Sequence, residues 1–302
     1  MHFRSLLCCV TLAACAQHPA SSEPPAPEPT PAAVQPEPLP APPPPDSPEA
    51  LARRALTAWG HRDERASLEQ AIALWERYLQ ANPKDPAMLT ALARAYSVLG
   101  DSLLTTSGSR EAALAALEKG VRFGESGLLI SAPAFAARVA GGERIEAALP
   151  ALSASSQAAA YWYGANLTKF ALAKGLTTAV FFRERILALL SRVLEIDERY
   201  FHAGPHRLLA TFYAVAPAAA GGDLAKARAH FERALALEPD FVGTRVSFAE
   251  QYAAKAQDRE LFVRLLRDAA AVDPARLPEL EPEQMLEQGR AQQLLAQVDE
   301  LF

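Results

Sequence analysis

From about Glu49 to Phe302, apolar residues recur at intervals of three and four, the period of helices that each bury one face. Period-two runs of β-branched residues are absent, so the stretch is expected to be all-α. Leu68 to Asn82 predicts a helix with Ala71, Trp75 and Tyr78 on one face, stopped by Pro83. Ala227, Phe231 and Ala234 before Glu238-Pro239-Asp240 repeat the arrangement, as do Phe262, Leu266 and Ala269 before Asp273-Pro274. Ile186, Leu190 and Val193 before Glu195-Ile196-Asp197-Glu198 keep the spacing without the proline.

This unit resembles the second helix of a tetratricopeptide repeat, whose period is about 34 residues. A small residue lets paired helices cross closely, and a large apolar residue one turn later fills the space between repeats. First-helix partners are expected around Leu89, Leu92 and Tyr96 before a turn at Gly100, and around Leu208, Phe212 and Tyr213 before residues 216–222. A third is expected around Val246, Phe248, Ala249 and Tyr252 before Asp258. Asp223 and Asp258 are the expected N-caps of the helices that follow them. Gly141-Gly142 and Gly221-Gly222 mark longer connections. Ala291, Leu294, Leu295, Val298 and Leu301 form one stripe, read as a final helix that covers the last repeat. The fold expected is a set of degenerate tetratricopeptide-like repeats in an α-α superhelix with a C-terminal capping helix.

The first 48 residues differ in kind. Arg4 precedes an apolar run from Leu6 to Ala14, too short for the roughly 20 residues that span a bilayer. Leu12-Ala13-Ala14-Cys15 resembles the lipobox of bacterial lipoproteins, in which the cysteine takes a diacylglycerol and the signal is cut before it. Residues 1–14 are then a lipoprotein signal peptide, 15–48 the lipidated Cys15 and a tether, and 49–302 the helical domain. From Pro19 to Pro48, 14 of 30 residues are proline, which favours extended polyproline II. At about 3.1 Å per residue its reach is on the order of 90 Å. Cys8 and Cys9 leave with the signal, so Cys15 is the one mature cysteine and neither disulfides nor thiol catalysis are expected.

Charge and motifs exclude more than they assign. Without Arg4 there are 29 basic and 35 acidic residues, well mixed and with no basic stripe for nucleic acid. His202 and His206 have the i, i+4 spacing of two metal ligands, but Gly204-Pro205 lies between them and no third ligand is evident. Gly120, Gly124 and Gly127 are spaced wrongly for a dinucleotide loop. No P-loop or nucleophile elbow occurs, so neither catalytic residue, metal nor cofactor is expected. The aromatic clusters Tyr161-Trp162-Tyr163, Phe181-Phe182 and Phe212-Tyr213 are the better leads. Consecutive helical residues point about 100° apart, so the first three cannot all face one core. Either they fill irregular gaps between degenerate repeats, or they line an apolar cavity with polar groups such as Asn166 and His206.

The C-terminal half carries a family resemblance. Tyr161-Trp162-Tyr163-Gly164-Ala165-Asn166 is followed by Ala203-Gly204-Pro205-His206-Arg207, Gly221-Gly222-Asp223-Leu224-Ala225-Lys226-Ala227-Arg228 and His230-Phe231-Glu232-Arg233-Ala234-Leu235. Ala249-Glu250-Gln251-Tyr252, Gln257-Asp258-Arg259-Glu260-Leu261-Phe262 and Val298-Asp299-Glu300-Leu301-Phe302 complete the string. It resembles the TatT family, lipoprotein components associated with tripartite ATP-independent periplasmic (TRAP) transporters. The resemblance implies a non-enzymatic, lipid-anchored periplasmic homo-oligomer. Its implied partners are the periplasmic solute-binding subunit of a transporter and an apolar small molecule. Tyr161, Trp162, Asn166, His206 and Tyr213 are the candidate ligand- or partner-facing residues, and Cys15 the lipidation site. Ala16 in place of an aspartate points to the outer membrane. The alternative partner class is outer-membrane protein, pilus or secretion-system assembly machinery.

Overall fold

Side-chain caps and prolines set the helix starts in the computed structural model, which describes residue 44, residues 46–104 and residues 109–302. Ser47 Oγ accepts from the Ala50 N–H at 3.2 Å and Pro48 occupies the first turn of α1 (Pro48–Gly60). Helix α2 (Arg65–Ala81) ends at Asn82. Asp85 Oδ1 accepts from the Ala87 and Met88 N–H groups at 3.0 and 3.1 Å, opening α3 (Pro86–Leu104). Then follow α4 (Arg110–Ser131), α5 (Pro133–Ala140), α6 (Ile145–Ala148), α7 (Gln157–Lys174) and α8 (Leu176–Ile196). Helix α9 (Tyr200–Val215) precedes α10 (Leu224–Leu237), which the Asp223 carboxylate caps by accepting from the Lys226 N–H at 3.1 Å. Helix α11 (Val242–Ser247) continues as a π-helical turn, Phe248–Ala253. Asp258 caps α12 (Arg259–Ala271) by accepting from the Leu261 N–H at 2.9 Å. Both expected aspartate caps are therefore present, each a feature that contributes about 1 kcal/mol. Helices α13 (Glu281–Ala296) and α14 (Val298–Leu301) close the chain. Among the described residues there is no strand.

Sequential helices pack as pairs: α1 with α2, α3 with α4, α7 with α8, and α9 with α10. The apolar positions read from the spacing supply the contacts. Ala71, Trp75, Ile186, Leu190, Val193, Ala227, Phe231, Ala234, Phe262, Leu266 and Ala269 are all buried. Helix α7 is the centre, packed by α3, α4, α8 and α9. It has no polar face, and Tyr161, Trp162 and Tyr163 are all buried. Tyr161 and Trp162 touch at 4.9 Å and both meet α9 at Phe201, whereas Tyr163 reaches α4 at Glu125.

Two local expectations change, at Gly100 and in the final helix, and α4 and α9 carry features that the spacing did not predict. Gly100 is not a turn: it lies inside α3, where a Cβ would stand 2.5 Å from Leu117 Cδ2. It is the contact that lets α3 cross α4. Gly120, Gly124 and Gly127 serve a related end on α4, where Cβ atoms at the first two would stand 2.2 Å from Asn166 Oδ1 and 2.7 Å from Tyr163 Cα. The expected single final helix is broken at Gln297. Ala291 and Leu294 are buried, whereas Leu301 is exposed and the Phe302 ring packs on Phe262 at 5.2 Å. The unforeseen feature of α9 is its first turn, left-handed at Phe201, His202 and Ala203.

The expected signal peptide, the expected lipidation site Cys15 and nearly all of the expected Pro-rich tether lie outside the described residues. No helix among those described is long and apolar enough to cross a membrane.

Candidate functional site

Three consecutive non-glycine residues with positive φ cost roughly 1–2 kcal/mol each, so the structure around them must hold them in place. Phe201, His202 and Ala203 have φ of 45°, 53° and 55°. Pro205 disfavours right-handed helix at Gly204, and the Tyr161 hydroxyl occupies the space beside it. A Cβ on Gly204 would lie 2.4 Å from Tyr161 Oη. Buried Arg207 fixes the turn by donating to the carbonyl oxygens of His202 and, at 3.0 Å, of Phe201. The turn thereby projects Phe201 against Trp162 and Tyr161, with ring centroids 4.8 and 5.6 Å away. Tyr200 adds an edge contact to Tyr161 at 5.2 Å.

This aromatic wall meets buried charge. The Arg94 guanidinium lies 5.0 Å from the Phe201 ring centroid, 5.6 Å from Trp162 and 5.1 Å from Trp59. Such cation–π contacts strengthen when desolvated. Arg94 donates to Glu283 Oε1 at 2.8 Å, and Arg62 donates to Oε2 of the same carboxylate. Arg62 also donates to the Glu279 and Trp59 carbonyl oxygens at 2.7 and 3.1 Å. Burial pulls the Arg94 and Arg207 guanidinium pKa values down, and pushes the Tyr161 phenol up and Tyr200 up to about 12. One turn further along α13 stands Glu287. Burial, then the charges of Asp101 and Glu250, push its pKa up to about 7 against the opposing pull of Lys169 and Arg207. Lys169 donates to Asp101 at 2.5 Å and to Ser97 Oγ at 2.8 Å, while Arg290 pairs with Glu250. Glu283 and Glu287 thus put charge on α13: Glu283 meets Arg94 of α3, and Glu287 feels the charges of Lys169 on α7 and Arg207 on α9. Buried Nε atoms of Arg62, Arg94 and Arg290 and Oε1 of Gln251 have no partner there.

The candidate residues chosen from sequence separate into three places. Tyr161 and Trp162 belong to the aromatic wall. Asn166 is a buried pin whose Nδ2 donates to the Ala93 and Trp162 carbonyl oxygens, each at 2.8 Å. Its Oδ1 is unpartnered and faces Gly120. His206 and Tyr213 belong to a separate cluster between α9 and α10. His206 Nδ1 lies 2.8 Å from His230 Nδ1, its Nε2 lies 3.4 Å from Glu198, and Tyr213 stacks on His230 at 5.9 Å. The five residues do not form one surface. Burial lowers both imidazole pKa values, His230 to about 4. His202 and His206 share no helix face because the left-handed turn separates them. His202 stacks on Phe241 at 5.6 Å instead. Among the described residues no group of three or more His, Cys, Asp or Glu is placed to hold a metal.

Sequence reasoning missed Arg62, Arg94, Phe201, Arg207, Glu283 and Glu287. The arginines and glutamates read as solvated helix faces, and Arg94 and Glu283 are 189 positions apart. The one local signal was Tyr200-Phe201-His202-Ala203-Gly204-Pro205, an aromatic pair running into a helix-breaking dipeptide.

A family model described as TRAP transporter T-component matches residues 64–302. The match takes in the aromatic wall, the histidine cluster and the whole of α13. Among similar proteins is an "Uncharacterized protein" of Treponema pallidum (strain Nichols), 25% identical over 256 residues and covering 78% of each chain.

Proposed function

This chain belongs to the TRAP transporter T-component family, and from that membership we propose that it is a non-enzymatic, lipid-anchored periplasmic component of a TRAP-type solute transport system. In this reading Cys15 carries the lipid and residues 15–48 give the domain reach from the membrane, more specifically the outer membrane. The stacked helix pairs form a tetratricopeptide-like superhelix, assembled as a homo-oligomer, that binds the periplasmic solute-binding subunit. The family match over 64–302 is the observation that carries the reading.

The interior beneath α13 is the proposed place for a small solute. Tyr161, Trp162 and Phe201 offer an apolar wall, and Arg94, Arg207 and Glu287 supply charge beside it. That combination favours a solute with an apolar body and a polar end. Cross-linking in intact cells with identification of the adducts tests the partner. A TRAP solute-binding subunit as the main adduct is expected, and outer-membrane assembly, pilus or secretion machinery in its place refutes the reading. Organic extraction of the native protein followed by mass spectrometry tests the solute, and repeatedly empty extracts refute a carrier role.

A further inference from the structure

We infer that the edge built from the α7–α8 turn and the α9–α10 connection is a lipid-contacting surface that rests on an anionic bilayer. On α8, Phe181 is 76% exposed, Leu176 50% and Val180 47%, and Val215 at the end of α9 is 41% exposed. Leu176 and Val180 lie one helical turn apart, and Phe181 widens their ridge. Contiguous exposed apolar side chains mark a contact surface more often than chance exposure.

The second strip is the connection itself. Residues 214–222 read Ala-Val-Ala-Pro-Ala-Ala-Ala-Gly-Gly, without one polar side chain, and Pro217, Ala218 and Ala219 are exposed. The two strips belong to one edge. The turn Ala218–Ala220 packs on α8, and a Cβ on Gly221 would lie 2.7 Å from Arg183 Nε.

Basic residues outnumber acidic ones around the ridge. Lys174 ends α7 and Arg183 follows the ridge, both exposed. Lys255 donates to the Ala214 carbonyl oxygen at 2.6 Å, and Arg110 donates to that of Ala173 at 2.7 Å, bringing two more cations to the edge. The nearby acids are already engaged: Glu184 with Arg144 at 2.6 Å, and Asp223 with the Lys226 N–H at 3.1 Å. Apolar side chains rimmed by basic ones are the signature of a segment that lies in the headgroup layer of anionic lipid. The Ala-Pro-Gly connection offers no side chain for the directional hydrogen bonds that help to orient a protein partner. A fluid lipid surface needs none. Since no described helix can cross a membrane, the contact is peripheral and adds to any covalent lipid.

The test uses the full chain with Cys15→Ser, so that no lipid is attached, and vesicles of phosphatidylethanolamine and phosphatidylglycerol. Vesicle flotation of Phe181→Glu should fall about tenfold below the parent, as the loss of one interfacial Phe implies. Met285→Glu, which removes an exposed apolar residue on α13, should float like the parent. A second readout is independent of how strongly the apolar leader binds. The emission added by Phe181→Trp should be quenched by brominated-chain phosphatidylglycerol vesicles, with helical circular dichroism unchanged. An unquenched Phe181→Trp overturns the proposal. So does light scattering in which Phe181→Glu breaks a self-assembly without altering lipid contact, since the ridge would then be a protein interface.

Discussion

Arg94 on α3 and Glu283 on α13, 189 positions apart, meet at 2.8 Å, and Arg62 takes the second oxygen of the same carboxylate. One side chain thus ties the C-terminal helix to the first two helix pairs. Its side chain is 14% exposed, and those of Arg62 and Arg94 are 4% and 24% exposed.

Removing that carboxylate leaves two largely buried guanidinium groups without a counter-charge. Breaking a buried pair from one side costs about 3–5 kcal/mol, far more than a surface ion pair contributes. Glu283→Ala should therefore lower stability by about 3 kcal/mol in urea denaturation. Arg94→Met combined with Glu283→Met should lose less than the sum of the single changes. Additive losses in that double-mutant cycle would show that the two residues are not coupled.

The glycines of α4 give the second prediction. A Cβ at Gly124 would stand 2.7 Å from the Tyr163 Cα, a backbone atom that cannot rotate away. Gly124→Ala should cost at least about 1–3 kcal/mol by overpacking. Gly60 closes α1 with nothing within 4 Å of its Cβ position, so Gly60→Ala should be neutral or stabilise by up to about 1 kcal/mol through helix propensity. Thermal melts of the two variants in opposite directions check the claim.

These cases show how far the sequence was legible. Helix type, the aspartate caps and the small-large-small spacings at Ala227, Phe231 and Ala234 depend on neighbours along the chain, so periodicity exposes them. The glycines of α4 were visible as a pattern, but their meaning depends on α7, which no spacing names. Tyr161 to Tyr163 read as too aromatic for one face, and the resolution was a helix with four neighbours. The Arg94 to Glu283 contact left no trace, because each residue sits among ordinary charged positions. His230 was passed over beside His206 because 24 residues and a loop separate them.

The His206 and His230 pair sets an acid limit on the contact between α9 and α10. Burial lowers both pKa values from about 6.5, His230 to about 4, so the folded state binds fewer protons than the unfolded chain. Their contribution is fully present above about pH 6.5 and is lost as pH falls towards 4. His230 is partly exposed, and solvent screening holds the loss to about 1–2 kcal/mol. Stability measured against pH should flatten over that window in His230→Asn relative to the parent. An unchanged slope would show that the pair does not titrate with folding.

Glu287 titrates in the opposite sense. Burial and the neighbouring Asp101 and Glu250 raise its pKa from 4.5 to about 7, so folding favours the protonated form. Its contribution is fully present below about pH 4.5 and is lost as pH rises through 7, where a charged carboxylate must be held facing other acids. Glu287→Gln keeps the shape and removes the charge. Its stability should approach that of the parent near about pH 4 and exceed it near about pH 8, by on the order of 1 kcal/mol or more. Denaturation curves at the two pH values decide it. A variant that is less stable at both would mean that the ionised carboxylate is held by cations facing α13, Lys169 of α7 and Arg207 of α9, whose charge already favours that form.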